Sequence, residues 1–440
     1  MDIEELDKRY LWHPYTQMSE MLSSKIRVIV RGEGFYLIDK DGNKYIDAVS
    51  SMWCNVWGHN NIELINAIKE QLYTLPHSSL FGLSNDKAIL LAEMLCKLTK
   101  LDKVFYAENG SSAVEVAIKM AIQYWRNINE PKYNIISLKH GYHGDTIGSI
   151  SVGYIEDFFS NYKDLLFNVK RLDSPYLFRK SIDMSDDDYI NYCIDIVEQA
   201  LKENPACMIM ESGAQLAGGV IIYPQNYQAK ISELCKKYDT LLILDEIATG
   251  FGRLGNMIEF IAQNSMPDIA IFGKMLTGGY LPLSAVLTSN KIYNAFLDDY
   301  YKNKQLFHGH TFTGHPLGCV AALTNIQLYE KYKLIEEVRR KSSIIKNRLE
   351  EFKSNIIGDI RHKGMVAGIE LVKPNSKEPL RFKQSMTYTI MEEGFKRGVY
   401  IRPLGNVMLI IPALAIDDHT LNKVLDIAYD IIKSLERINA

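Results

Sequence analysis

The chain has 440 residues, 47% of them hydrophobic and 23% charged, with a formal net charge of −3, which gives no electrostatic ground for nucleic acid or an anionic membrane as partner. Six cysteines (Cys54, Cys96, Cys193, Cys207, Cys235, Cys319) show no C-x-x-C spacing and suggest neither a disulfide framework nor a zinc site. The charged start, MDIEELDKRYLWHPYTQM, lacks the apolar core of a secretion signal, and no stretch is long and apolar enough to span a bilayer, so the expectation is a cytoplasmic protein of one large and one smaller domain.

In chain order, KVFYAEN (103–109) is β-prone, and Val114, Ala117, Ile118, Ala121, Ile122 and Trp125 then recur with a helical period. Gly110 and Ser111 therefore fall at a helix N-terminus. NIISL (134–138), ACMIMES (206–212), LLILDE (241–246) and DIAIF (268–272) are short runs apolar on both faces, the pattern of a mostly parallel sheet covered by helices, and the class is α/β. A helical stretch from Cys319 to about Val338 leads into strand-like GMVAGIELV and NVMLIIPAL. A last helix presents Leu421, Val424, Leu425, Ala428, Ile431, Ile432 and Leu435 as one stripe, with Asp417 and Asp418 as candidate caps. This tail is expected to be a second domain.

Asp245 and Lys274 each follow an apolar run, which delivers them to the sheet edge where open α/β sheets bind ligands. An acid that protonates a pyridine nitrogen and an amine that condenses with an aldehyde are the pair pyridoxal 5′-phosphate requires. LLILDE also fits the magnesium strand of a P-loop ATPase, but the only Gly-Lys pair, Gly273-Lys274, is followed by Met275 and lacks the earlier glycine. GFGRLG (250–255) matches a dinucleotide pattern but begins five residues past Asp245 instead of at the strand end.

NGSS (109–112) offers Gly110 and Ser111 as an anion cradle, chemistry that also serves ordinary helix capping. HGYHGDT (140–146) supplies Tyr142 to stack on a planar ring, with Asp145 nearby; His140 and His143 have no third ligand at metal spacing and read as loop histidines. FHGHTFTGHPLGC (307–319) suits phosphate contacts, with Thr311 the best candidate, and Arg402 in VYIRPLG is placed to grip a carboxylate.

These motifs, in this order, make nearly the whole chain resemble the class III (ω-amino) aminotransferases of fold type I, most specifically through DEIATGFGRLG (245–255) and GKMLTGGYLPLSA (273–285). WHPYTQM (12–18), MWCNVWGH (52–59) and GYHGDTIGSISVG (141–153) are similar to the family's biotin-pathway group, which converts 8-amino-7-oxononanoate to 7,8-diaminononanoate. The resemblance implies a large domain over 51–325 and a smaller α+β domain from 1–50 and 326–440. It further implies that Lys274 holds the cofactor aldehyde, Asp245 pairs with the pyridine nitrogen, Gly110 and Ser111 hold the phosphate, and Tyr142 stacks on the ring. Thr311 would reach the phosphate of a partner subunit, so the site would lie across a homodimer interface. Tyr15, Trp53, Tyr142, Lys274 and Gly309 would contact substrate, and Arg402 its carboxylate.

S-adenosyl-L-methionine is the donor this resemblance implies, with lysine as the alternative. Ala248 replaces the glutamine of many class III enzymes, as it does in the biotin-pathway group. Met52 stands where the group often has a second tryptophan, His310 and His315 stand where proline and asparagine are familiar, and ESGAQLAGG (211–219) replaces E-P-x-x-Q-G. The alternatives are another ω-aminotransferase, for ornithine, lysine or 4-aminobutyrate, or a mutase or racemase on the same lysine. The intact Lys274 argues against a non-catalytic binding protein.

Overall fold

The computed structural model describes residues 2–381 and 385–438. Its centre is a seven-stranded sheet in the order Lys103–Ala107, Ser284–Thr288, Ile269–Phe272, Leu241–Asp245, Cys207–Glu211, Ile135–Leu138, Lys170–Leu172. Only Ser284–Thr288 runs against its neighbours. That strand is absent from the sequence-based expectation. The connection over 273–283 is too short for a crossover helix, so the chain can return only antiparallel.

Both faces of the sheet are covered, which is why its strands are apolar throughout. Ile135, Ile209, Ile243 and Ile271 pack on one face with Val114, Ala117, Ala121 and Trp125 of the helix Gly110–Asn127. The alternate residues Ile136, Met208, Leu242 and Ala270 belong to the cluster on the other face, with Cys193 and Val197 of Asp186–Leu201 and Ile231 and Cys235 of Tyr227–Lys237. A one-residue shift would exchange the two sets.

The two ends of the chain share a sheet. Ile29–Glu33, Tyr36–Asp39 and Lys44–Asp47 form an antiparallel meander, and Val399–Tyr400 adds parallel to its last strand. A separate three-stranded sheet, Ile357–Lys363, Val366–Leu371 and Val407–Ile410, lies C-terminal to two helices, Pro316–Lys331 and Leu334–Glu350. The sequence predicts those helices as one. They part at Lys333, whose left-handed φ of 48° ends the first, and the first begins at Pro316, where a proline's missing N–H costs nothing. The stripe of the last helix, Asp418–Ile438, is buried along its length; Asp417 caps it by accepting the Thr420 N–H at 2.8 Å, whereas Asp418 pairs with Arg340. Among the described residues no helix is long and apolar enough to cross a membrane. All six cysteines are free thiols.

Candidate active site

Asp245 and Glu211 end neighbouring parallel strands in the same register, so two carboxylates arrive together at one sheet edge. Lys274 follows the next strand and sits at a φ of 43°, a conformation an L-residue adopts only under constraint from its surroundings. The constraint is a tight turn in which the Leu276 N–H bonds the Gly273 carbonyl and the Gly278 N–H bonds that of Met275, with Met275 and Leu276 fully buried. The turn aims the lysine into a cavity of about 640 Å³ that Asp245, Glu211, Tyr142, Trp53, Gly110 and Ser111 also line.

The lysine amine makes no hydrogen bond or ion pair among the described residues, and lies 5.5 Å from the centre of the Trp53 ring. Burial lowers its pKa from the ordinary lysine value, and the Asp245 and Glu211 carboxylates only partly oppose that shift. Trp53 is itself set by an unusual backbone: Ser50, Ser51 and Trp53 all have positive φ, and the Asp47 carboxylate accepts the Ser51 N–H at 2.7 Å inside that turn.

Asp245 is held on both oxygens. One accepts the Ile247 N–H at 2.9 Å and the other lies 2.7 Å from Nδ1 of His143, with both side chains buried. Because a carboxylate can only accept, a neutral His143 must donate through Nδ1, which leaves the negative charge on Asp245. Read from sequence as a loop histidine, His143 is thus the hydrogen-bond partner of an aspartate 102 positions away. The two histidines of the H-x-x-H pattern diverge, His140 lying edge-on to Tyr176 instead.

The Glu211 carboxyl bridges two loops by accepting the Tyr142 N–H at 3.1 Å and the Leu216 N–H at 2.9 Å. Burial raises its pKa to about 7. Because the folded-state value lies above the unfolded one, its stabilising contribution is complete below about pH 4.5 and is lost as pH rises through about 7. Glu211→Gln should therefore remove up to ~3 kcal/mol of pH-dependent change across that window. Denaturant melts of both proteins at pH 5 and 8 check this; the slope from Glu246, which burial raises to about 8, should persist in both.

At the far end of the cavity, Asn109 caps the helix Gly110–Asn127 by accepting the Ser112 N–H at 2.9 Å. The first-turn N–H groups lack intrahelical acceptors and carry the positive end of the helix dipole. A side chain at Gly110 would meet Ile247 Cδ1 at 2.8 Å, so glycine keeps the helix start and Ile247 close without forcing the isoleucine to shift. The Ser111 hydroxyl donates to Thr146 Oγ1 at 2.9 Å and accepts the Thr146 N–H at 3.0 Å.

Six of the ten sequence-predicted residues therefore share the cavity or its lining: Lys274, Asp245, Gly110, Ser111, Tyr142 and Trp53. Tyr15 reaches its rim, with its hydroxyl on Asp145, which Tyr142 also contacts at 3.1 Å, and its ring edge-on to Phe158. Gly309 and Thr311 are exposed and outside the lining, and a Cβ at Gly309 would strike the Phe81 ring at 2.5 Å. Arg402 is half-buried, also outside the lining, and has no hydrogen bond or ion pair among the described residues. An unpaired amine of lowered pKa, a fixed carboxylate and a helix N-terminus on one cavity fit an aldehyde-bearing pyridine with a phosphate arm.

The model of the family "Aminotransferase class-III" matches residues 18–432, and the chain belongs to that family. It is a pyridoxal 5′-phosphate-dependent aminotransferase of fold type I. Its sequence is 43% identical to the adenosylmethionine-8-amino-7-oxononanoate aminotransferase of Aquifex aeolicus, over 99% of this chain and 98% of that one. The crystal structure of the enzyme of that name from Methanocaldococcus jannaschii, also 43% identical, superposes with a TM-score of 0.92 over 98% of both chains. The omega transaminase of Pseudomonas jessenii in complex with PMP shares 29% identity at a TM-score of 0.94, with 100% of each chain covered.

Proposed function

We propose that this protein transfers an amino group from S-adenosyl-L-methionine to 8-amino-7-oxononanoate, forming 7,8-diaminononanoate in biotin biosynthesis. The carrying observation is the identity gradient across one shared fold. Relatives bearing that substrate in their name reach 43% over nearly the full length, whereas a putrescine–pyruvate aminotransferase and the P. jessenii enzyme stand at 31% and 29%.

Pyridoxal phosphate, when bound, supplies an aldehyde that receives the amino group and a ring that draws electrons from the donor carbon. Lys274 would hold the aldehyde, and its amine, made easier to deprotonate by burial, would serve as the base that takes a proton from the donor carbon. Asp245, fixed by Ile247 and His143, keeps the pyridine nitrogen protonated. Gly110 and Ser111 hold the phosphate, Tyr142 covers the ring, and Tyr15, Trp53 and Gly309 shape the substrate channel.

The unpaired Arg402 guanidinium receives the keto substrate's carboxylate. Thr311, exposed and outside its own cavity, reaches the phosphate held by a partner subunit, which makes the working unit a homodimer. The domains divide as 51–325 against 1–50 with 326–440, a reading that the sheet shared by both chain ends supports, and the protein acts in the cytoplasm.

Absorbance of the purified holoenzyme tests the substrates. S-adenosylmethionine should bleach the visible cofactor band and 8-amino-7-oxononanoate should restore it. Bleaching by lysine alone would transfer the donor role to lysine. If neither donor acts, or the keto acid restores nothing, the biotin-pathway reading fails in favour of another ω-aminotransferase.

A further inference from the structure

The cavity wall at Ala217 is carried by a turn under backbone strain. Both the Gly219 and Val220 N–H groups bond the Leu216 carbonyl, at 3.2 and 3.0 Å. Val220 closes the turn with a φ of 59°, where a β-branched residue is a true outlier, and it is completely buried. Strain of this kind persists only where neighbouring groups over-determine it.

The neighbouring group is Arg361, which comes from the strand Ile357–Lys363, outside the seven-stranded sheet. Its Nε donates to the carbonyls of Gly219 and Val220, each at 3.1 Å, and its Nη2 donates to Gly219 at 2.7 Å. The remaining nitrogen faces Asp359 at 2.6 Å and Glu370 at 2.8 Å. Glu370, 1% exposed, also accepts from Arg179 Nε at 2.6 Å and from the Tyr176 hydroxyl. A guanidinium whose side chain is 10% exposed is thus charge-matched on one side, which leaves its other edge free to clasp two carbonyls.

We propose that Arg361 is a positioning residue that clasps the Leu216–Val220 turn and so ties the cavity wall at Ala217 to the C-terminal three-stranded sheet. The wall then moves with that sheet, and substrate fit depends on a residue that touches no substrate. A planar fork is needed, because a lysine ammonium at 361 can satisfy Glu370 and Asp359 but cannot reach both carbonyls in one geometry.

Arg361→Lys separates the clasp from the charge. Hydrogen exchange of the holoenzyme should show the 216–220 amides opening about tenfold more readily in this variant, with the central sheet unchanged. On the substrate reading proposed above, KM for 8-amino-7-oxononanoate should rise about tenfold while kcat stays within about twofold. Wild-type exchange at 216–220 in Arg361→Lys would overturn the clasp, and raised exchange with unchanged KM would overturn its link to the cavity. If Arg361→Gln does not fold, Arg361→Lys still decides the matter. If wild type does not turn over 8-amino-7-oxononanoate, the substrate assignment is what fails, and exchange still tests the clasp.

Discussion

Replacing Lys274 with alanine should lower the transamination rate by roughly 10⁴-fold or more while leaving the protein folded. On the roles proposed for it, the same amine would both hold the cofactor and move the proton, and Lys274 is the one lysine among the lining residues. The other titratable residues of the lining include the carboxyl groups of Glu108, Asp145, Glu211 and Asp245, the Cys54 thiol, His143 against Asp245, and Tyr142, whose phenol burial and Asp145 keep protonated; none is an amine. The fold survives because the side chain makes no hydrogen bond or ion pair, and because deleting a cation whose pKa burial has lowered removes a desolvation cost. The left-handed backbone at 274 remains strained in the alanine protein, so thermal melting should stay near the wild-type midpoint. Single-turnover absorbance and melting curves measure the two halves separately. Added methylamine should restore part of the proton-transfer rate. Activity within tenfold of wild type would remove Lys274 from its assigned role.

What the sequence made legible followed from local rules. Strands with apolar residues on both faces, the period of the helix 110–127 and the placement of Asp245 and Lys274 just past apolar runs all depend on neighbours a few positions apart. The structure brings Lys274, Asp245, Gly110, Ser111 and Tyr142 to one cavity as those rules imply, together with Trp53, which only the family resemblance pointed to. The illegible features depend on distant partners. His143 differs from His140 only in what each meets across the fold, and no spacing rule distinguishes the histidine beneath Asp245 from the one against Tyr176. The break between the helices at Lys333 is carried by a lysine in the left-handed region, where no glycine or asparagine marks the turn. Likewise Arg361, an ordinary arginine in a half-buried strand with no alternation, becomes a clasp only because Glu370 and the Val220 turn converge on it.

Asp245→Asn should reduce kcat/KM by about 10³-fold, corresponding to about 4 kcal/mol of lost electrostatic stabilisation. The asparagine has nearly the same shape, so the loss reports charge and hydrogen-bond polarity. In the native site two donors, the Ile247 N–H and His143 Nδ1–H, converge on two acceptor oxygens. An amide has one oxygen and one NH₂, so one rotamer sets its NH₂ against the Ile247 N–H, and the other presents NH₂ to His143 and forces the imidazole into its opposite tautomer. On the role proposed for Asp245, the variant would lose both the carboxylate meant for the pyridine nitrogen and the frame that aims it. His143→Asn separates these losses. It keeps the aspartate ionised and can still donate toward it, so its activity should fall only about tenfold, with cofactor affinity changed in the same proportion. Measuring cofactor dissociation and kcat/KM for the two variants side by side assigns the charge to Asp245 and the aim to His143. Equal losses in both would mean that the aim His143 supplies matters as much as the charge, and the division of roles between the two residues would fall.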